Sequence, residues 1–441
     1  MQLNHLKVEN FRLFEQAEFA FDPRFNLVIG ENGRGKTSLL RAMAVTLGGW
    51  ALSYVDDLSG RRPIQESEAH VIYRDKRLLR ARHVSIQARF SADVIGGDGV
   101  LKSGSVVDFE FHGSSGGLTG GLAAKVMLSG SEVGSDFLAM DQRALVVEGA
   151  RNNRDFTLPV IAFYECDRLW SSGEALSQEK SIQHPPDRFS PYTDWQRSSV
   201  NDQAIGQWLI RHQLASLQQG KVTPGFKLLQ AAARGAIENC SGLYFDIEGS
   251  KVVVEFSDGR STLFENLSDG QRTLLGLFCD LARRISILNP HLGEHALAET
   301  PGVVLIDELD LHLHPKWQRR IIQDLRRTFP KVQFICTTHS PQLIGQARPD
   351  EIIQLDASRT TAHPGQSLGM DSNWILRHIM GSDDRDPDVA KALDELFEHI
   401  EQARFDEAQA ALVALRQRIG EHPELVEADA LIGRYTRHGG E

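Results

Sequence analysis

Long apolar runs are missing from this 441-residue chain, and no stretch has the length needed to span a bilayer, which excludes a transmembrane helix. Cysteine is scarce: Cys166, Cys240, Cys279 and Cys336 lie far apart, a spacing that fits neither a zinc site nor a disulfide framework. Positive charge is in deficit. The formal net charge of -11 argues against wholesale coating of nucleic acid, although not against a local basic groove. Sustained heptads are absent, so no long coiled-coil arm is expected. Met1 runs directly into a strand-like segment of mixed charge rather than a secretory signal, and the expectation is a cytoplasmic protein without membrane contact. What is there has an ordinary globular composition, 41% apolar and 24% charged, and enough length for one large α/β core with an appendage.

The most informative stretch is 25–42. Leu27 to Ile29 reads as a buried strand, a glycine-rich turn follows, and Ser38 to Leu47 has helical spacing. The turn matches G-x-x-x-x-G-K-[ST] with Gly30, Gly35, Lys36 and Thr37, the pattern of a phosphate-binding loop. Glycines let consecutive N–H groups point at phosphate oxygens, and the following helix presents its positive dipole end to the same charge. Lys36 would reach the β- and γ-phosphates, and the Thr37 hydroxyl would meet Mg²⁺.

Around this loop the chain divides into four expected segments. Residues 1–90 form the first part of an ATPase head, beginning with two antiparallel strands. The run Arg74 to Arg82 reads as a solvated basic face, with a nucleic-acid phosphate contact as the sharper alternative. A strand at Val84 to Phe90 ends this first segment, and residues 91–260 form a β and helical insertion: a strand at Val106 to Phe111, Gly- and Ser-rich turns, an exposed loop over 171–200, and helices at Ile205 to Gln218 and Phe226 to Glu238. Residues 261–360 return to the head, with strands alternating with helices as in a largely parallel sheet. Residues 361–441 are an acidic, Ala- and Leu-rich helical tail, equally readable as an interaction module or as a cap on the core.

Three elements of the third segment complete a site. Val303 to Ile306 is an apolar strand ending in Asp307 and Glu308, expected next to the P-loop strand, with Asp307 placed to hold Mg²⁺ and Glu308 to act as general base. His339, at the tip of the strand Val332 to Thr338, would face the γ-phosphate. Leu267-Ser268-Asp269-Gly270-Gln271 opens a periodic helix whose N-terminus forms a second anion cradle, useful only if it docks on a phosphate held elsewhere.

Together these motifs resemble the Walker A, signature, Walker B, D-loop and switch-histidine elements of ABC-type ATPases, in the branch of RecF, SMC and OLD proteins, to which the Asn10-Phe11-Arg12 opening is also similar. The resemblance implies an α/β head in which two copies sandwich two ATP molecules, Lys36 of one facing Ser268 of the other. It further implies ATP contacts by Arg12, Asn32, Gly33, Gly35, Lys36, Thr37, Ser38, Ser268, Gly270, Gln271 and Asp310, with Thr37 and Asp307 on Mg²⁺, and Glu308 and His339 in catalysis. A Q-loop glutamine is best sought at Gln65. A narrower resemblance, carried by Gly302 to Pro315, Gln333 to Pro341, Trp374 to Gly381 and Phe405 to Ala408, is to compact AAA-family ATP-binding proteins such as PtuA of Septu and retron-linked ATPases. That likeness implies an ATPase, as a dimer or within a larger assembly, controlling a separate nuclease or toxin in anti-phage defence. A RecF-like DNA-repair ATPase is the alternative. An autonomous OLD-type nuclease is disfavoured, because 345–441 lacks strand-end carboxylates.

Overall fold

The structure, a computed structural model, describes residues 1–52, 64–74, 77–81, 83–95, 101–114, 122–128, 131–133, 155–166, 187–197, 202–356, 361–382 and 385–438. It forms two compact units, Met1–Asp371 and Ser372–Glu441.

The first unit opens with β1 (Gln2–Phe11) and β2 (Phe14–Ala20), followed by β3 (Phe25–Ile29) and α1 (Lys36–Leu52). A hairpin of β4 (Val71–Arg74) and β5 (Arg77–Arg80) precedes β6 (His83–Ile95), β7 (Leu101–Ser114), β8 (Leu122–Leu128) and β9 (Ser131–Val133). Then come β10 (Val160–Tyr164), α2 (Asp202–Gln219), α3 (Pro224–Ala236), and β11 (Cys240–Asp246), β12 (Lys251–Phe256) and β13 (Ser261–Leu263). The unit closes with α4 (Asp269–Leu288), β14 (Gly302–Ile306), α5 (Ile321–Thr328), β15 (Val332–Thr337), β16 (Ile352–Leu355) and β17 (Thr361–Ala362).

One sheet has the order β2-β1-β6-β7-β8-β9 and is antiparallel; the other has the order β10-β14-β15-β3-β16-β17 and is parallel up to its last pair. The difference is written in the side chains. Every residue of β3, β10, β14 and β15 is buried, so these strands read as continuous apolar runs, as a sheet covered on both faces requires. β2 instead alternates, as a one-sided strand does. Helix α1 packs against β1, β6 and β7 on one side and β10, β14 and β15 on the other. Sandwiched in this way it has little polar surface, and Leu39, Leu40, Met43, Ala44, Val45, Leu47 and Trp50 are all buried.

Two expectations are corrected. The carboxylate strand β14 is not next to the P-loop strand β3, because β15 lies between them. Chain order does not fix the lateral order of parallel strands joined by long crossovers. The span 171–200 is not wholly an exposed loop: Phe189, Tyr192 and Trp195 are buried, while 171–186 and 198–200 lie outside the described residues. Of the basic run, Asp75, Lys76 and Arg82 also lie outside them, and Leu78, Leu79 and Arg80 are exposed.

A single buried amide ties the two sheets. Gln333 on β15 accepts from Leu3 N at 2.7 Å and donates to Leu3 O at 2.9 Å and Asp22 O at 2.8 Å. Asn26 completes the joint by donating to Asp22 O at 2.9 Å and accepting from Asp22 N at 2.8 Å.

In the second unit α6 (Ser372–His378) precedes three helices, α7 (Pro387–Glu401), α8 (Phe405–Ile419) and α9 (Pro423–His438). They enclose a core of Leu393, Leu396, Ile400, Leu412, Leu415, Leu425 and Ile432. Asp386 caps α7 by accepting from Asp388 N and Val389 N, and the Arg385 guanidinium grips Glu424 with two bonds of 2.7 and 2.8 Å at the start of α9.

Replacing Gln333 with Ala removes three hydrogen bonds, two of them to the buried backbone N and O of Leu3, while Asp22 O keeps its bond from Asn26. Chemical unfolding is expected to show a loss on the order of 3 kcal/mol. A loss below about 1 kcal/mol, the size of an ordinary surface substitution, would contradict the role of the joint.

Candidate nucleotide site and signature groove

The C-terminal ends of β3, β15 and β14 converge, as ligand sites do in parallel sheets. The loop after β3 turns at Gly30, whose φ of 146° and whose approach to Leu355 O leave no room for a side chain: an added Cβ would lie 2.7 Å from that oxygen. Gly33 and Gly35 also have positive φ, Asn32 and Gly33 are exposed, and Ser38 is buried at the start of α1. Lys36 curls back inside the loop, donating from Nζ to Gly30 O at 2.8 Å and Glu31 O at 3.0 Å.

Asp307 anchors the opposite wall. It is 3% exposed, and its carboxylate accepts from the Thr37 hydroxyl at 3.0 Å and the Thr337 hydroxyl at 2.6 Å. Thr337 ends β15, the strand that separates β14 from β3, so its hydroxyl spans the gap that strand order creates. The same oxygen accepts from Glu308 N at 2.7 Å. At Glu308 the backbone is left-handed, φ 52°, a conformation that costs a non-glycine residue roughly 1 kcal/mol or more and is found where a site demands it. Next, Asp310 accepts from the Thr338 hydroxyl at 2.5 Å, and that hydroxyl accepts from Ser340 N at 2.9 Å.

These groups act on one another's protonation. Burial lowers the proton affinity of Lys36, with Asp307, Glu308 and Asp310 opposing it. His339 is lowered from 6.5 by burial first and by the Lys36 ammonium second, against the pull of Asp310, Glu308 and Asp307. Its imidazole is therefore neutral at neutral pH.

The residues fit ATP with Mg²⁺. A loop turning on Gly30, Gly33 and Gly35, an inward lysine and a hydroxyl paired with a buried carboxylate would make a phosphate cradle beside a magnesium position. Such an ion keeps one or two carboxylates and takes its remaining ligands from phosphates and water. Among the described residues no cluster of three or more His, Cys, Asp or Glu could hold a metal by itself.

The signature residues lie elsewhere. Ser268 caps α4 in a capping box, its hydroxyl accepting from Gln271 N at 3.4 Å while the Gln271 side chain accepts from Ser268 N at 3.2 Å. Gly270 is buried against the His312 carbonyl, where a Cβ would approach to 2.5 Å. Ser268, Gly270 and Gln271 line an open groove of about 720 Å³ with His312, His314 and Trp317, among the described residues, and the P-loop does not contribute to it. Arg12 is engaged at a third place: its Nε donates to the buried Glu68 at 3.3 Å, whose other oxygen accepts from Gln65 N at 3.1 Å.

Sequence reasoning missed Thr337 and Thr338. Their only signal is a pair of hydroxyls ending an otherwise apolar strand.

A parallel sheet with a P-loop motif at one strand end, a threonine-held Asp-Glu pair at another and a capped helix opening at Ser268 is an α/β arrangement that resembles the heads of P-loop ATPases. Comparisons with known proteins give partial matches. The family described as "AAA domain" matches residues 5–98, and the family described as "AAA domain, putative AbiEii toxin, Type IV TA system" matches residues 167–345. The chain is 43% identical over 122 residues to "Retron Ec83 probable ATPase" of Escherichia coli, covering 28% of this chain and 22% of that one. It is 34% identical over 154 residues to "Septu protein PtuA" of Bacillus thuringiensis, covering 33% and 38%. The chain thus matches well under half the length of these relatives. An SMC head domain from Thermotoga maritima aligns at 13% identity over 80% of this chain and 94% of that one, with a TM-score of 0.41. The ATPase segments have their relatives among retron ATPases and Septu PtuA. No helix among the described residues is long and apolar enough to cross a membrane.

Because the fold disfavours protonated His339, the stability this residue contributes is complete above its ordinary value of 6.5 and is lost as pH falls through it. The unfolding free energy of the wild type relative to His339→Gln should therefore drop between pH 7.5 and 5. A pH-independent difference would contradict the buried, neutral assignment.

Proposed function

We propose that the chain binds ATP with Mg²⁺ in the P-loop, pairs with a second copy across the nucleotides, hydrolyses ATP, and through that cycle controls a separate effector, a nuclease or toxin, in defence against phage. The observation that carries the reading is the Asp307 carboxylate held between Thr37 and Thr337, beside Lys36, Glu308 and His339. The loop N–H groups, the Lys36 ammonium and the α1 N-terminus bind and orient the phosphates, with Asn32, Gly33, Gly35 and Ser38 shaping that contact. Bound Mg²⁺ supplies charge neutralisation on the phosphate oxygens. Glu308 takes the proton of the attacking water, and neutral His339 donates a hydrogen bond at the γ-phosphate without setting a second positive charge against Lys36.

The signature groove supports pairing. Ser268, Gly270 and Gln271 present the positive end of α4 on a surface without a P-loop, so a phosphate brought to it would come from another copy. Asp310, fixed by Thr338, leads into the same groove through His312. The defence role rests on the likeness to retron ATPases and PtuA.

Glu308→Gln, expressed with its neighbouring genes, provides the test. It should bind ATP, turn over at least about 100-fold more slowly, and co-purify with a stoichiometric nuclease or toxin. Normal turnover would remove Glu308 as the base. A chain that purifies alone and binds DNA only with ATP would favour the RecF-like alternative.

A further inference from the structure

Three buried or partly buried charges on α4, Asp280, Arg283 and Arg284, with the exposed Asp194 beside them, are used by neither functional surface. On α4, which Ser268 caps, Asp280 and Arg284 are 5% and 1% exposed among the buried Leu277, Phe278, Cys279, Leu281, Ala282 and Ile285. Asp280 Oδ2 accepts from the Tyr164 hydroxyl at 2.7 Å and from Arg284 Nε at 2.8 Å, while Oδ1 accepts from Arg283 Nη2 at 2.8 Å. Arg284 Nη1 donates in turn to Pro191 O at 3.0 Å and Asp194 Oδ1 at 2.9 Å. Two guanidiniums and two carboxylates thus balance. Burial alone would raise the Asp280 carboxyl, but Arg284 and Arg283 outweigh it and hold it at about 2. Burial likewise pushes the Tyr164 phenol well above its ordinary value, so it remains a neutral donor.

Tyr164 is the last residue of β10, and its backbone faces the other way. Its carbonyl accepts from Asp307 N at 2.8 Å. One residue therefore touches the main chain of the carboxylate that holds Thr37 and the side chain that holds α4.

An apolar contact would dock α4 on β10 without burying charge, so packing does not explain this arrangement. A hydroxyl–carboxylate bond is directional. It fixes the rotation of α4 about its axis, where a one-residue slip would swing Asp280 by about 100° away from Tyr164. From Asp280 back to Ser268 runs about 18 Å of continuous helix, a rigid lever ending at the signature cap.

We propose that the Tyr164–Asp280 bond couples the nucleotide site to the signature cradle, so that the setting of Asp307 and the presentation of Ser268 change together. Tyr164 is a positioning residue, acting through Asp307 and Asp280 rather than on the nucleotide. This rests on the two-copy reading above.

The test compares full-length wild type, Tyr164→Phe and Leu281→Ala, the last a cavity control on the same helix. Nucleotide titration, steady-state hydrolysis and ATP-dependent pairing by light scattering are measured, each beside a melting curve. Tyr164→Phe should bind ATP and show a KM within about twofold of wild type, while kcat and pairing fall about tenfold or more. Leu281→Ala should melt earlier yet keep kcat within about twofold. The coupling is overturned if Tyr164→Phe pairs and turns over like wild type, or if Leu281→Ala loses as much kcat, since the loss would then track stability. A wild type that binds ATP but neither pairs nor hydrolyses overturns the proposed function, and the coupling with it. Should Tyr164→Phe not fold, 3-fluorotyrosine at position 164 of the otherwise unchanged chain answers the same question by fluorine NMR. A resonance that shifts on adding ATP with Mg²⁺ supports the coupling, and one that does not move overturns it.

Discussion

The site depends on one buried carboxylate. Asp307 is nearly inaccessible at the C-terminal end of an inner strand of the parallel sheet, where an unpaired negative charge would be costly, and it is tolerated because the hydroxyls of Thr37 and Thr337 both donate to it. Those hydroxyls come from the helix after β3 and from the end of β15, while Asp307 follows β14. Three strands must therefore end at one level for the bonds to form. Satisfying Asp307 fixes where the P-loop helix starts and where Glu308 emerges, and Thr337 reads both through a single oxygen. The sheet registry that permits this is held from behind by Gln333, which fastens β15 to the first strand of the antiparallel layer.

From this centre the structure works outward in two directions. Through Lys36 and His339 it shapes the electrostatics of the phosphate cradle, where burial and mutual repulsion keep the imidazole neutral beside the ammonium. Through Tyr164 it reaches α4, whose cap at Ser268 opens a separate groove with His312 and Trp317. The P-loop and the groove at Ser268 share no lining residue, so in the proposed pairing each faces its counterpart in a second copy. That is the geometric basis of the proposed sandwich.

Much of this was legible in the amino-acid order. Fully buried strands announce themselves as apolar runs, and Gly30, Gly35, Lys36 and Thr37 sit in the spacing of a phosphate-binding loop. The periodic helix opening at Ser268 was read from its spacing, while the capping box that Ser268 forms with Gln271 came with the structure. Lateral strand order was not legible, because a crossover can carry the chain past a neighbour, and so the position of β15 between β14 and β3 came only with the structure. Without that position nothing marks Thr337 as a site residue. Tyr164, Asp280 and Arg284 escape for a similar reason: a tyrosine at a strand end and an Asp-x-x-x-Arg step on a helix are ordinary locally, and their bond joins residues 116 positions apart. Buried aromatics at Phe189, Tyr192 and Trp195 were hidden inside a stretch rich in proline, serine and charge, where local composition speaks for loop and tertiary packing decides otherwise.

The central claim is that one functional site is built from two copies, Lys36 of one and Ser268 of the other. Complementation between two crippled chains tests it most directly. Lys36→Ala and Ser268→Arg chains should each be inactive in ATP turnover, yet their equimolar mixture contains pairs in which an intact Lys36 meets an intact Ser268. The account predicts that turnover reappears on mixing and rises with total protein concentration. A mixture as inactive as its parts, or a Ser268→Arg chain that turns over ATP like wild type, would contradict it.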